Sequence, residues 1–405
     1  MNKSVYIIHP IVLFSIGTFI GLSPYIFSSK YFDSYSTFSV NSEILVVYLL
    51  GFISFTIGTL FIKFIFKRKI KIYIYKKKDM NTLLAFFLLL SFFLFLKIMS
   101  LYGSLPLLAL LSGNEDIAFV NQTQKDVGGG IFGVFFLVVM SLIILFPYTV
   151  INKNKSLYNG YLFWVHLVLL LLYTTYSGKR QMLFIFFTYT FTYLYLFYIK
   201  TNKEKVLQKI KKIGLLTSIL LISFFLFLGL LRANLLNEDV SVFNPIIHYS
   251  SLPYMNLSNI ITHQDQNINA YTWRAFVETL LNDLPSFIKY SFFNEFQTVI
   301  MPKIEPTSPS TIYGEIFWGF GYIGVFLYLL VIGIFSNYLY MKAIYAKNFI
   351  YITFYSLIVW PLLSIHTYNH FKNFMFLIIP FILIILGNKL YKKIPKKKDK
   401  LAPTY

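Results

Sequence analysis

The sequence predicts an all-α polytopic membrane protein of about ten transmembrane helices. Three observations carry this. Of 405 residues, 57% are hydrophobic and only 13% charged, where a soluble domain carries about 25% charge. Apolar runs of roughly 18–25 residues recur along the chain, the length that crosses a ~30 Å hydrocarbon layer as a helix. The cations fall in short clusters in every second gap between those runs, the bias of cytoplasmic loops. Backbone groups in lipid must be paired within their own segment, so continuous apolar runs are helices; the strands of a membrane barrel would alternate.

The first span is predicted over Val5–Phe27, a retained helix rather than a cleaved signal, because no small-residue cleavage site follows it. Its Gly17-x-x-x-Gly21 is a helix-packing pattern. The second is Glu43–Phe66, followed by the basic cluster Lys67–Lys78. The third is Thr82–Gly103, and a loop with Glu115, Asp116, Asp126 and Gly128-Gly129-Gly130 leads to the fourth, Ile131–Ile151. A short link with Lys153 and Lys155 precedes the fifth, Gly160–Tyr176. The turn Ser177-Gly178-Lys179-Arg180-Gln181 opens the sixth, Met182–Ile199, and the basic Lys200–Lys212 precedes the seventh, Ile213–Leu231.

Arg232–Phe317 then interrupts the apolar pattern with polar and aromatic residues, and reads as one large extracytoplasmic loop within a single polytopic domain, 1–405. Two stretches in it, Ala270–Leu284 and Pro285–Ile300, mix aromatics with spaced charges as short amphipathic helices do. The eighth span is Ile316–Tyr340, the ninth Phe349–Ile365 and the tenth Phe374–Leu390, with a basic tail over 391–405. In this threading both termini are cytoplasmic. It puts 26 of the 36 Lys and Arg inside and 13 of the 16 Asp and Glu outside. That distribution explains the net charge of +20 without a nucleic-acid partner. There is no cysteine, hence no disulfide, thiolate nucleophile or cysteine metal site. Internal repeats and paired interrupted helices, the marks of many transporters, are not evident.

The candidate site residues are polar groups on the outward side. Lys179 and Arg180 oppose the charge bias, and they also stand where a helix N-terminus is already positive, so an anionic partner would relieve both. Snorkelling to the headgroups is the plainer reading. Arg232 follows a helix C-terminus, where a cation suits the dipole. Arg274 follows Trp273 and can stack on it or grip a phosphate. Guanidinium groups bind phosphate oxygens in pairs and hold their charge at any working pH. Glu315 is either a dipole-favoured first-turn acid or a general base. His366 and His370 are four apart in a short loop; with no third ligand at motif spacing, they read as surface histidines or proton-transfer groups rather than a metal site. His9 and His166 lie in apolar spans and read as packing residues. Tyr271, Trp273 and Trp318 are candidates for stacking on sugar rings. No phosphate-binding glycine loop, His-Glu-x-x-His or Gly-x-Ser-x-Gly motif is present.

Two stretches carry a family resemblance: Tyr176-Ser177-Gly178-Lys179-Arg180-Gln181, and Pro309-Ser310-Thr311-Ile312-Tyr313-Gly314-Glu315 running on to Gly319, Gly321 and Gly324. With the ten-helix layout and one late outward loop, they resemble the oligosaccharide repeat-unit polymerases (O-antigen, or Wzy-type, polymerases). The resemblance implies a fold of the C-type glycosyltransferase superfamily, shared with the O-antigen ligases. It implies a polyprenyl-diphosphate-linked oligosaccharide as substrate, no cofactor, and the outer face of a bacterial cytoplasmic membrane as the place of work. A chain-length regulator is a partner of that family. The arginines carried over are Arg180, Arg232 and Arg274. The ligases hold a histidine in the region matching Ser310–Glu315; this chain has none there, which makes Glu315 the substitute candidate. A flippase for lipid-linked sugars and a glycan-modifying acyltransferase are the rival readings; the latter would want a histidine-centred base near an early helix, where only His9 stands.

Overall fold

The computed structural model describes residues 7–27, 42–65, 80–102, 129–175, 181–201, 206–216, 244–262, 311–345 and 350–365, with single positions at 219, 223, 371, 382, 385 and 386. These residues are almost entirely helical. In chain order the helices are α1 (Pro10–Phe27), α2 (Ser42–Ile65), α3 (Asn81–Tyr102), α4 (Gly129–Asn152), a 3₁₀ turn (Lys153–Lys155), α5 (Leu157–Thr175), α6 (Gln181–Lys200), α7 (Asn244–Thr262), α8 (Ile312–Tyr345) and α9 (Ile350–Leu363). Six are long and apolar enough to cross a membrane: α2, α3, α4, α5, α6 and α8. Pro10–Leu22 and Ile350–Leu363 are shorter apolar helices. Eight of the ten predicted spans are thus present as apolar helices. The seventh and tenth lie largely outside the described residues, as do both amphipathic stretches foreseen in the loop.

Several hydroxyls inside these spans close their bonds within the same helix. Ser15 donates to Ile11 O (2.7 Å), Ser141 to Leu137 O (2.9 Å), Thr174 to Leu170 O (2.7 Å) and Thr188 to Phe184 O (2.7 Å). A hydroxyl in hydrocarbon has no water to turn to, and the carbonyl one turn back is the nearest acceptor.

Packing joins two apolar clusters. One is built from α1, α2, α8, α9, the second half of α6, the second half of α7 and Ile210. The other is built from α3, α4, α5 and the start of α6. Glycine sets the closest approaches. A Cβ on Gly17 of α1 would lie 2.6 and 2.7 Å from the carbonyl oxygens of Leu363 and Leu362. On α2, a Cβ on Gly58 would collide with Leu330 O; on α8, one on Gly333 would collide with Phe55 O. Helices in a bilayer gain little from burying apolar surface, since lipid is as apolar as they are. Close backbone contact through small residues replaces that drive.

The pairings also give directions. α2 and α8 run parallel: Tyr48 meets Tyr313 at one end (ring centroids 4.0 Å), and Asn337 donates to Thr59 O toward the other. α1 and α9 run parallel, with the Tyr355 hydroxyl on Ile8 O and Gly17 against Leu362. α8 and α9 are antiparallel, with Ile312 N donating to Ile365 O (3.3 Å) at one end and Tyr340 beside Tyr355 (5.3 Å) at the other. α6 and α9 are antiparallel: Phe184 stacks on Trp360 (5.3 Å, 14°), and Tyr189 lies beside Thr353. α3, α4 and α5 alternate, through Phe95–Phe135 (6.2 Å) and His166 on Leu142 O (3.0 Å). Spans of equal parity in the predicted order pair parallel, and neighbours pair antiparallel. α6 and α8 are both antiparallel to α9, and so parallel to each other.

Two features depart from the sequence reading. Within the stretch read as loop, Asn244–Thr262 forms the 19-residue helix α7, and its residues Leu252–Ile261 are buried apart from a half-buried Asn259. Secondly, α8 begins at Ile312, a turn before the predicted start. It also breaks at Gly321, whose φ of 60° and ψ of −153° lie outside any helix.

Candidate functional site

The head of α8 is where most described candidates gather. Thr311 caps it: its Oγ1 accepts from Gly314 N (2.9 Å), while its carbonyl accepts from Glu315 N (3.1 Å). A threonine side chain thereby satisfies one of the orphan donors of the first turn. Ile312 N reaches across to Ile365 O, pinning this end of α8 to the end of α9. Glu315 is half-buried in the first turn, and Trp318 follows one turn on, 7% exposed and inside the apolar cluster.

Under the cap lie three buried tyrosines from three helices. Tyr48 of α2 stacks on Tyr254 of α7 (5.1 Å, 23°) and meets Tyr313 of α8 at a tilt (4.0 Å, 41°). The Tyr48 hydroxyl lies near Tyr254 and Thr311, and that of Tyr313 near Thr18 on α1, but the Tyr48, Tyr313 and Thr18 hydroxyls close no hydrogen bond among the described residues. Thr311 and Asn256 are fully buried, and Ser258 nearly so. Burial pushes the Tyr254 and Tyr313 phenols above their ordinary range. They therefore act as neutral donors and acceptors. Gly314 lets α7 close on this cap: a Cβ there would meet Ile260 Cδ1 at 3.3 Å.

The break at Gly321 sits just below. Residues 312–320 form a short helix, and the long apolar run begins at Phe320. Positive φ with strongly negative ψ is open to glycine almost alone. Of the glycines in the 319–324 motif, Gly321 is the one whose backbone demands it.

Glu315 and Trp318 are the two predicted site residues that the described residues include. Lys179, Arg180, Arg232, Tyr271, Trp273, Arg274, His366 and His370 lie outside them. Two of these have described chain neighbours close to the α8 head. Gln181, which follows Arg180, begins α6, and Phe184 one turn later stacks on Trp360 of α9. Ile365, which precedes His366, is the carbonyl that Ile312 binds. The start of α6, the end of α9 and the head of α8 therefore share one end of the bundle.

His9 fits its packing role: its Nδ1 accepts from Ile11 N (3.3 Å), and its ring meets Tyr340 edge-on at 4.9 Å. His166 fits only by half. It is fully buried with one ring nitrogen on Leu142 O, while Nδ1 has no hydrogen-bond partner among the described residues. Tyr48, Tyr254 and Tyr313 were not singled out by sequence. The chain has 32 tyrosines, and nothing in their spacing marks three that meet from positions 48, 254 and 313. No protein-family model, curated protein or solved structure matches this chain.

Proposed function

We propose that the protein joins polyprenyl-diphosphate-linked oligosaccharide repeat units into a bacterial surface polysaccharide, on the outer face of the cytoplasmic membrane. The observation that supports this is convergence. The two stretches bearing the family resemblance, 176–181 and 309–324, lead into α6 and α8, whose starts meet at the end of α9 through Phe184–Trp360 and Ile312–Ile365.

The chemistry needs few parts. A sugar held on a lipid diphosphate is already activated. The acceptor hydroxyl of one repeat unit attacks the anomeric carbon of the growing chain. A C–O bond forms there, the bond from that carbon to the phosphate oxygen breaks, and the lipid diphosphate departs with the electron pair. Arg180 and Arg232, with Lys179 and Arg274, hold the diphosphate and stabilise the charge it gains. Glu315 takes the acceptor's proton, with His366 or His370 as the alternative base. Tyr271 and Trp273 supply faces for sugar rings, while Trp318, buried in the apolar cluster, packs beneath the site; holding both substrates in line supplies much of the rate. A chain-length regulator is the partner this reading invites.

The test is the glycan ladder on a gel. In the Arg180→Ala strain the long polymer is lost and single repeat units remain; a full-length ladder removes Arg180 from the mechanism. Because the chain lacks cysteine, a cysteine placed at 177–181 reports which side that turn faces. Labelling from the cytoplasmic side alone sinks the proposal. A flippase for the same lipid-linked sugar is the second reading, favoured by the break in α8, since transporters build their sites at interrupted helices. Deletion distinguishes the two: single units accumulate outside without a polymerase, inside without a flippase.

A further inference from the structure

At the opposite end of the bundle, the junction of α4 and α5 forms an open cleft of about 500 Å³. Lys153, Lys155, Ser156, Leu157, Tyr161 and Trp164 line it. We propose that this cleft binds the phosphate of an anionic phospholipid of the bilayer, with one acyl chain lying along α5.

The two lysines are positioned rather than loose. Lys155 Nζ bonds to Asn152 Oδ1, and Asn152 is itself buried, its Nδ2 donating to Tyr148 O (2.8 Å). Lys153 Nζ stands 4.8 Å from the centre of the Phe163 ring. Both ammonium groups thus border one concavity, on a turn too short to swing away.

The apolar half is equally specific. Leu157, Tyr161, Trp164 and Val168 recur at helical spacing on one face of α5 and are 84, 70, 61 and 60% exposed. From Leu157 to Val168 the helix rises about 16 Å, the reach of most of an acyl chain. Tyr161 and Trp164 are amphipathic rings of the kind that settle at headgroup depth. A basic concavity that continues into an aromatic and aliphatic strip matches one amphiphile: an anionic head with a hydrocarbon tail. The strip faces the bilayer as part of a span, so an anion bound at the lysines that comes with a hydrocarbon tail is already in place to lie along it. The cleft lies at the far end from the α8 head, so this inference is independent of the proposed reaction.

The experiment is quenching of tryptophan fluorescence in the purified full-length protein, reconstituted in phosphatidylcholine bilayers with a minor fraction of brominated lipid. Brominated phosphatidylglycerol is expected to quench more than brominated phosphatidylcholine at equal fraction, and Trp164→Phe removes the difference. Lys153→Gln with Lys155→Gln lowers the preference on the order of thirtyfold, about a factor of five per lysine near an anionic surface. The paired Lys→Arg variant keeps it, which separates lost charge from lost folding. Equal quenching by the two lipids in the wild type overturns the proposal. So does a preference that survives the double Gln variant, or one abolished by millimolar inorganic phosphate, which would make the site one for a free anion.

Discussion

Gly58→Ala adds one methyl group to α2, at its crossing with α8. The added carbon would fall 3.0 Å from Ile334 N and closer still to Leu330 O, both backbone atoms that no side-chain rotation can move. The helices must part, and overpacking of this kind costs about 1–3 kcal/mol. Against this, alanine is favoured over glycine within a helix by roughly 1 kcal/mol. The net expectation is a loss of about 0–2 kcal/mol. Gly133→Ala in α4 makes the same chemical change where nothing lies within 4 Å, and should gain up to about 1 kcal/mol. The two variants thus differ by roughly 1–3 kcal/mol in opposite senses. Gly333→Ala on the facing helix meets Phe55 O. One outward shift of α8 relieves both contacts, so the Gly58→Ala, Gly333→Ala double variant should cost less than the sum of the singles. Thermal unfolding of the purified variants in a single detergent reads all four. A Gly58→Ala protein as stable as Gly133→Ala, or strict additivity of the pair, would refute the backbone-contact account of how α2 holds α8.

Gly321→Ala places a side chain at φ 60°, ψ −153° and should cost about 1–3 kcal/mol; Asn gives no rescue, because this ψ is outside the left-handed helical region that Asn tolerates. A melting temperature unchanged by either substitution would contradict the break. Thr311→Ala removes the cap on Gly314 N and should lower stability by ~1 kcal/mol, while Thr311→Ser stays near the parent. Tyr313→Phe preserves the ring against Tyr48 and is expected to melt with the parent; Tyr313→Ala leaves a cavity among three helices and should lose about 3–5 kcal/mol. Melting curves that rank Phe with Ala would show that the hydroxyl, not the ring, holds the cap together.

The long apolar runs were legible because hydrocarbon imposes a single demand on every residue within it. Ser42–Ile65 and Gln181–Lys200 begin and end within a residue of their predicted bounds. Length and hydropathy also implied which spans are parallel, since each crossing reverses the chain. The helix Asn244–Thr262 was hidden for the opposite reason. Asn, Ser, Thr and Tyr recur along it, so it is too polar to read as a span, although Leu252–Ile261 are buried apart from Asn259.

What the sequence determined by itself is the medium: a chain with this much unbroken apolar length has to lie in lipid as helices, and its cations choose their side. Which residues meet was decided by tertiary structure alone. Tyr48, Tyr254 and Tyr313 belong to helices far apart in the chain and come together because glycine contacts bring α2 against α8 and α7 closes over Gly314. Local composition fixes what a segment is dissolved in. Contact between segments depends on shapes at the crossing points, and a linear string does not display those.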